Sequence, residues 1–432
     1  MSLPPSPPPS FAAPPPSDPA VPPLLPPAGE AAPKPGPLAQ LLVLLLSVCL
    51  GLFLVDAAMA LLDDSLNLFA DLWWLTLLRT AVFTMVLFVS FVVYVLLGLT
   101  PMIPKRLFLP VVLFNPLVSL LILILMIYYY NHIKGICWAF SICQVAVALV
   151  VLWRVRGNLG LGWPLVPAAR LKAQRFSWTN LLVFLFLNAF LLFPAVVGYL
   201  VACASLAVNH YSDGFVSLRP SGFTVQARKY VRADGKAVHL VPMAHIGEAE
   251  FYHTVSSSFP TNSMVLMEGV TDYSGLLTNR LTYERAAKSL GLAEQHEEFH
   301  PVRVDVVMAD VDVKQFRTKT IGFINLMMLV HTKGFSPPNL LKILSFSPPP
   351  GFERELFDDL LNKRNQHLIT ELKAHLPESD TFVVPWGAAH MPGLSKEVQA
   401  AGFRLAETRD YTVIGFGVGK QKSQRTRKGR AG

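Results

Sequence analysis

The sequence predicts a multi-pass α-helical membrane region of about five spans, followed by a soluble α/β (α+β) domain. Three observations predict it. Charged residues make up only 15% of the 432-residue chain and apolar residues 52%, whereas soluble domains are usually about one quarter charged. The uncharged stretches are long and confined to the first half: 35–55, 80–104, 107–133, 135–153 and 176–212 contain no Asp, Glu, Lys or Arg. Past residue 213 the pattern changes to short apolar runs alternating with amphipathic stretches, as expected for helices laid on a sheet.

The chain opens with an arm, 1–37, in which sixteen residues are proline. Proline fixes its own φ and supplies no amide donor, so this segment predicts a disordered or polyproline-II spacer. The membrane region follows at 38–212. A helix needs about 20 mostly apolar residues to cross the hydrocarbon, which places spans near 38–61, 78–100, 107–130, 134–153 and 180–206. Trp73, Trp74, Tyr128, Tyr129, Tyr130, Trp153 and Trp178 fall at their edges, where amphipathic rings prefer to lie. The spans carry almost no ionisable residue at mid-depth, which argues against a transport role. All four cysteines, Cys49, Cys137, Cys143 and Cys203, lie inside them. The second half therefore has neither a disulfide framework nor a thiolate metal site.

Charge sets the expected orientation. Lys34, Lys105, Arg106, Arg154, Arg156, Arg170, Lys172 and Arg175 fall on one face of a five-span bundle, and Arg79, Lys134 and Arg219 on the other. Positive loops stay in the cytoplasm, so the C-terminal domain is expected outside it, with the plasma membrane as the site. The basic stretch 420–432 reads as a disordered, solvated tail. The expected partners are the lipid bilayer and a peptide or protein substrate, with no nucleic acid.

The domain at 213–419 shows strand-like runs at "FTVQARKYV", "AVHLVPM", "MVLME", "VDVVMADV", "TFVVP" and "YTVIGFG", with helical periodicity at 278–290, 314–332 and 352–376. "IGFINLMMLV", 321–330, is too short to span and reads as a core helix. Functional groups of open α/β sheets gather where strands end. Read in order, those ends carry His245, Glu268 followed by Gly269, Asp310 with Asp312, and His390. The two Asp residues read equally as a site pair or as a cap for the helix beginning "VKQF". On 352–376 the apolar stripe Phe357, Leu361, Leu368, Leu372 also contains Arg364. A guanidinium on a core face must meet a carboxylate or a substrate anion.

At these residues the chain resembles the TraB/Tiki family, within the superfamily that includes erythromycin esterases and haem-binding ChaN-like proteins. "GAAHMPGL" is similar to the second of the family's two G-x-x-H motifs, and "VLMEG" to its acidic strand end. "KRNQHLI" is similar to its helix, with Arg364 and Asn365 at the signature, and "ADVDVKQF" to its Asp-rich stretch. The first motif departs from the pattern: Pro242 stands where the family has Gly, ahead of Met243, Ala244 and His245. The resemblance covers about 235–417 and none of the membrane half.

The resemblance implies a metal-dependent hydrolase of the peptidase kind. Gly387, Ala388 and Ala389 would turn the chain so that His390 faces His245 and Glu268. Those three would hold a divalent ion (Mn, Co or Zn) that activates water, with Glu268 taking the proton and Arg364 stabilising an oxyanion. The alternative is a non-catalytic, membrane-tethered ectodomain that binds haem, a peptide or a protein partner.

Overall fold

The structure, a computed structural model, describes residues 36–278, 283–334, 336–346, 348 and 351–417. Nearly all of the proline arm and the whole basic tail lie outside these residues. Two compact units are present, one holding residues up to Leu117 with Lys134–Leu182, the other Val118–Ile133 and everything from Val183 onward.

Among the described residues, four helical stretches are long and apolar enough to cross a membrane: Pro37–Phe69, Thr76–Leu99, Lys105–Arg156 and Trp178–Tyr211. They comprise α1 (Pro37–Phe69), α2 (Thr76–Leu99), α3 (Lys105–Tyr129), α4 (Ile133–Arg156), α5 (Trp178–Phe186) and α6 (Phe193–Tyr211). Their outward faces are lined with large exposed apolar side chains such as Leu41, Leu77, Phe88, Phe91 and Phe190, the reverse of a water-facing helix. The third stretch is interrupted by a 3₁₀ turn at Tyr130–His132, where Tyr129 leaves helical geometry (φ −125°, ψ 30°). Asn115 and Gln144 both donate to Oδ2 of Asp56, at 2.9 and 2.7 Å. On a straight helix they would be about 43 Å apart, so the chain doubles back between them. In the fourth stretch a π turn at Leu187–Leu192 precedes Pro194. Proline offers no N–H to the helical ladder, and the pairing there slips by one residue.

Two expectations about this region need correcting. The first helix runs to Phe69 rather than ending near 61, because Asp63 and Asp64 are neutralised inside the bundle by Arg79 of α2. Asp56 is consequently buried in the helix interior (1% exposed), so the bundle does hold an ionisable group well inside it.

The second unit carries β1 (Val216–Arg219), β2 (Gly222–Val231), β3 (Ala237–Met243), β4 (Ile246–Gly247), α7 (Ala249–Ser257), β5 (Met264–Met267), α8 (Glu284–Leu290), β6 (Ala293–Glu294), α9 (Gln295–Glu298) and β7 (Asp305–Met308). It continues with α10 (Thr318–Lys333), α11 (Pro337–Ser345), α12 (Phe352–Phe357), α13 (Lys363–His375), β8 (Thr381–Gly387), α14 (Met391–Ala400) and β9 (Arg404–Gly415). The main sheet runs β1-β2-β3-β8-β5-β7, with β9 also paired to β2. β1, β2 and β9 are antiparallel, whereas β3, β8, β5 and β7 are mutually parallel. In β3, β8 and β5 the parallel strands are mostly buried apolar residues, with Val238, Val265, Leu266, Phe382 and Val383 fully enclosed, the pattern of strands covered on both faces, whereas the edge strand β7 leaves Val306 and Met308 exposed. Register sets Met243 beside Gly387 and Met267 beside Met308. All four carboxyl ends therefore open on one edge.

Helix α10 forms, but only Met328 of "IGFINLMMLV" is buried. It is a half-exposed surface helix, because Thr318, Asn325 and Thr332 recur among its apolar residues. The predicted helix 352–376 is broken by a π turn at Asp358–Asn362. The extra residue per turn shifts the phase, so Phe357 points to solvent while Leu368, Ile369 and Leu372 remain in the core.

Candidate active site

Glu268 follows β5, Asp310 follows β7 by two residues, and His390 follows β8 on a short 3₁₀ turn, so register alone brings them to the same edge. Helix α13 crosses above and supplies Arg364 and Asn365. Arg364 forks onto Asp310, Nε to Oδ1 at 3.0 Å and Nη2 to Oδ2 at 2.7 Å, and Nη2 also donates to Glu268 Oε1 at 2.7 Å. The Asp310 side chain is fully enclosed, and those of Arg364 and Glu268 are 12% and 16% exposed. Burial opposes the guanidinium's charge, but Asp310 and Glu268 outweigh it and hold its pKa above the ordinary value.

Backbone amides complete the carboxylate network. Gly269 N–H donates to Asp310 Oδ2 and Val311 N–H to Oδ1. Gly387 N–H donates to Glu268 Oε2 at 2.5 Å. A Cβ on Gly387 would lie 3.3 Å from that oxygen, so glycine serves close approach here. Its φ of −52° is ordinary, and no special turn is needed.

His390 is buried (4% exposed). Its Nδ1 lies 2.7 Å from Asn365 Oδ1, an acceptor, so Nδ1 carries the proton and Nε2 keeps its lone pair. Nε2 is 3.6 Å from Glu268 Oε1. Burial, reinforced by the Arg364 charge, lowers the imidazole pKa to about 4. Trp386 packs edge-on to His390 with ring centroids 5.1 Å apart, and donates to Leu266 O at 2.9 Å. Gly393 makes room for Asn365, whose Nδ2 would lie 2.6 Å from a Cβ there.

The structure thus brings together Glu268, Asp310, Arg364, Asn365, Gly387 and His390. Asp312 stands apart and caps the 313–315 turn through Lys314 N–H, while its other oxygen holds Thr271 and Tyr273. Of the two readings of the Asp pair, Asp310 takes the site and Asp312 the cap. His245 does not join the others. It is exposed and stacks on Tyr283 at 5.2 Å, because β4 pairs with β6 and turns the chain away after Met243. Trp386 and Gly393 were not singled out from the sequence, although both stand inside or beside the "GAAHMPGL" run.

As arranged, the donors do not fit the expected divalent ion. Glu268 presents one oxygen to Arg364 and the other to Gly387 N–H, and the guanidinium already fills the cation position between Glu268 and Asp310. Among the described residues, the group of three His and acidic donor atoms all within 4.8 Å of one another is Glu294, His296 and Glu297, not the expected trio. No family model matches the chain, and no curated protein or solved structure shows significant similarity to it.

Proposed function

We propose that the chain is a membrane-anchored hydrolase of the TraB/Tiki type, cleaving an amide or ester bond in a peptide or protein substrate. One observation carries this reading: a neutral His390, its tautomer fixed by Asn365, holds a lone pair 3.6 Å from Glu268 at the carboxyl edge of a parallel sheet. A water between the two gives its proton to Nε2 as its oxygen attacks the carbonyl, and Nε2 returns that proton to the leaving group. Arg364 fixes Glu268 against Asp310. Its Nη1, engaged only by a long 3.4 Å contact to Leu360 O, is the nitrogen best placed to meet an oxyanion.

The same reading takes the helical stretches between residues 37 and 211 as five passes. The doubling back of α3 and α4 supports it, as do the contacts that set residues 100–102 beside 172–175 at one end of the bundle. That end carries Lys105, Arg106, Arg154, Arg156, Arg170, Lys172 and Arg175, which favours a cytoplasmic side there and an extracytoplasmic C-terminal domain at the plasma membrane. A second reading, a binding ectodomain for haem, a peptide or a protein, is favoured by the way Glu268, Asp310 and Arg364 satisfy one another within the site.

Hydrolase profiling of the purified full-length chain on ester and peptide libraries separates the two. Glu268→Gln and His390→Ala should each lower turnover at least ~100-fold. Activity should survive exhaustive chelation. Activity lost to chelator and restored by Mn, Co or Zn would show that the site rearranges around an ion, and an unchanged rate in Glu268→Gln would reject the mechanism.

A further inference from the structure

Inside the helical unit, one stripe of α1 carries Asp56, Asp63, Asp64 and Asn67, all buried. The two ends of the stripe are treated differently. Asp63 and Asp64 share Arg79, and Asp63 also accepts from Thr76 and Asp64 from Ser141. Asp56 meets no cation among the described residues. Its Oδ2 takes two amide donors, Asn115 Nδ2 and Gln144 Nε2, and its Oδ1 has no hydrogen-bond partner among the described residues although Asp56 is 1% exposed. A buried carboxylate oxygen without a donor is costly.

Its position is central. Asn115 lies ten residues beyond Lys105 and Gln144 ten before Arg154. At about 1.5 Å per residue each is about 15 Å from the basic end, half of a ~30 Å hydrocarbon thickness. Towards that end α1 presents the fully buried Phe53, Leu50 and Leu46, and the polar groups among them are engaged: Ser47 accepts from Val166 N–H, and the Cys49 thiol meets Ser90 of α2. Towards the other end the polar groups continue: Ser141 on α4, Asp63 and Asp64 with Arg79, then Asn67, whose Oδ1 is a second buried acceptor without a donor. Exposed Lys134 ends the line, reaching Asp71 at 2.6 Å and Asn67 O at 3.5 Å.

The geometry points to Asp56 as a proton-binding site at the centre of the helical unit, exchanging with water only from the end that carries Asp71 and Lys134. The step is a simple transfer: a hydronium on that side gives its proton to Oδ1 and leaves as water, while Oδ2 keeps its two amide donors. The facing groups are few. α2 offers Arg79, which Asp63 and Asp64 engage, and α3 faces Asp56 with Asn115. α4 faces it with Gln144, and its Lys134 and Cys137 stand farther along beside Asp71 and Asp64. No charge other than the carboxylates of α1 and Arg79 adjoins the site among the described residues. A plug of large apolar side chains, whose few polar neighbours bond one another or the backbone, closes one side; with acceptors on the other it makes a one-sided well rather than a through-path, suited to sensing or loading protons.

The test is an infrared difference titration of the full-length chain in phospholipid vesicles, following the C=O band of a protonated, buried carboxyl. Lowering the pH should raise a band that is missing in Asp56→Asn and retained in Asp63→Asn. Asn115→Leu and Gln144→Leu each remove a hydrogen bond to this carboxyl, so each should shift the frequency of that band. Those frequency shifts decide the matter even if Asp56→Asn does not fold. A band unchanged in folded Asp56→Asn, or a frequency unmoved in both amide variants, overturns the proposal.

Discussion

Replacing Arg364 with Met tests how the site is held. The substitution keeps most of the side-chain volume and removes the cation that joins Asp310 to Glu268. The Asp310 side chain is fully enclosed and that of Glu268 only 16% exposed, so neither can recover its solvation by turning outward. Removing one partner of such a buried pair costs about 3–5 kcal/mol. For a domain of this size each kcal/mol lowers the midpoint by about 2–4 °C, giving a fall of about 6–20 °C. Hydrogen exchange in peptides spanning 264–268 and 381–387, followed against temperature, reads it in the strands concerned. Adding Asp310→Leu to Arg364→Met should recover part of the loss, because no buried charge is then left at that position. A fall below about 1 kcal/mol, or a double variant that loses the sum of two single losses, would refute the claim that Arg364 is the obligatory counter-ion.

The depressed His390 sets a pH window. Its pKa is about 4 in the fold against an ordinary 6.5, so the unfolded chain binds the extra proton first. Stability present above 6.5 is lost as pH falls towards 4, by about 3 kcal/mol over the interval, and denaturation of His390→Gln should lack that portion. His239, also near 4 through burial, remains as background acid sensitivity. Gly393→Ala drives a methyl group to 2.6 Å from Asn365 Nδ2; the amide must shift, and the variant should lose about 1–3 kcal/mol in a urea melt, together with the His390 tautomer lock. A reporter active only in the cytoplasm and fused after Gly432 should be silent; a signal there reverses the proposed orientation.

Much of the site was legible because strand ends are local features. Apolar runs ending in Glu268 and His390, with Asp310 two residues beyond a third, needed only parallel pairing to converge, and the inward Arg364 followed from helical phase. His245 was misplaced for a non-local reason: the two-residue β4 pairs with Ala293 and Glu294, about fifty residues later, and nothing near "MAHIG" announces that turn. The extent of the first helix was missed similarly: Asp63 and Asp64 lie just past the span placed near 38–61, and what keeps them inside is Arg79, on the next helix. The π turn at 358–362 carries no composition signal, yet it decides that Phe357 faces solvent.

The position of β8 governs the order in which the domain can be made. It is the next-to-last strand in the chain, yet it lies between β3 and β5 and pairs in parallel with both. Until residue 387 has left the ribosome, β3 and β5 have no strand between them, and each presents an open, apolar edge to other chains. Glu268 meanwhile lacks the Gly387 amide, and Asp310 waits for Arg364. A nascent chain stalled before this point would lack the assembled carboxylate network and be prone to aggregate. Shortening the protein from its carboxyl end should therefore fail abruptly at β8 rather than by degrees, with a sharp limit for any fragment that is to be expressed alone.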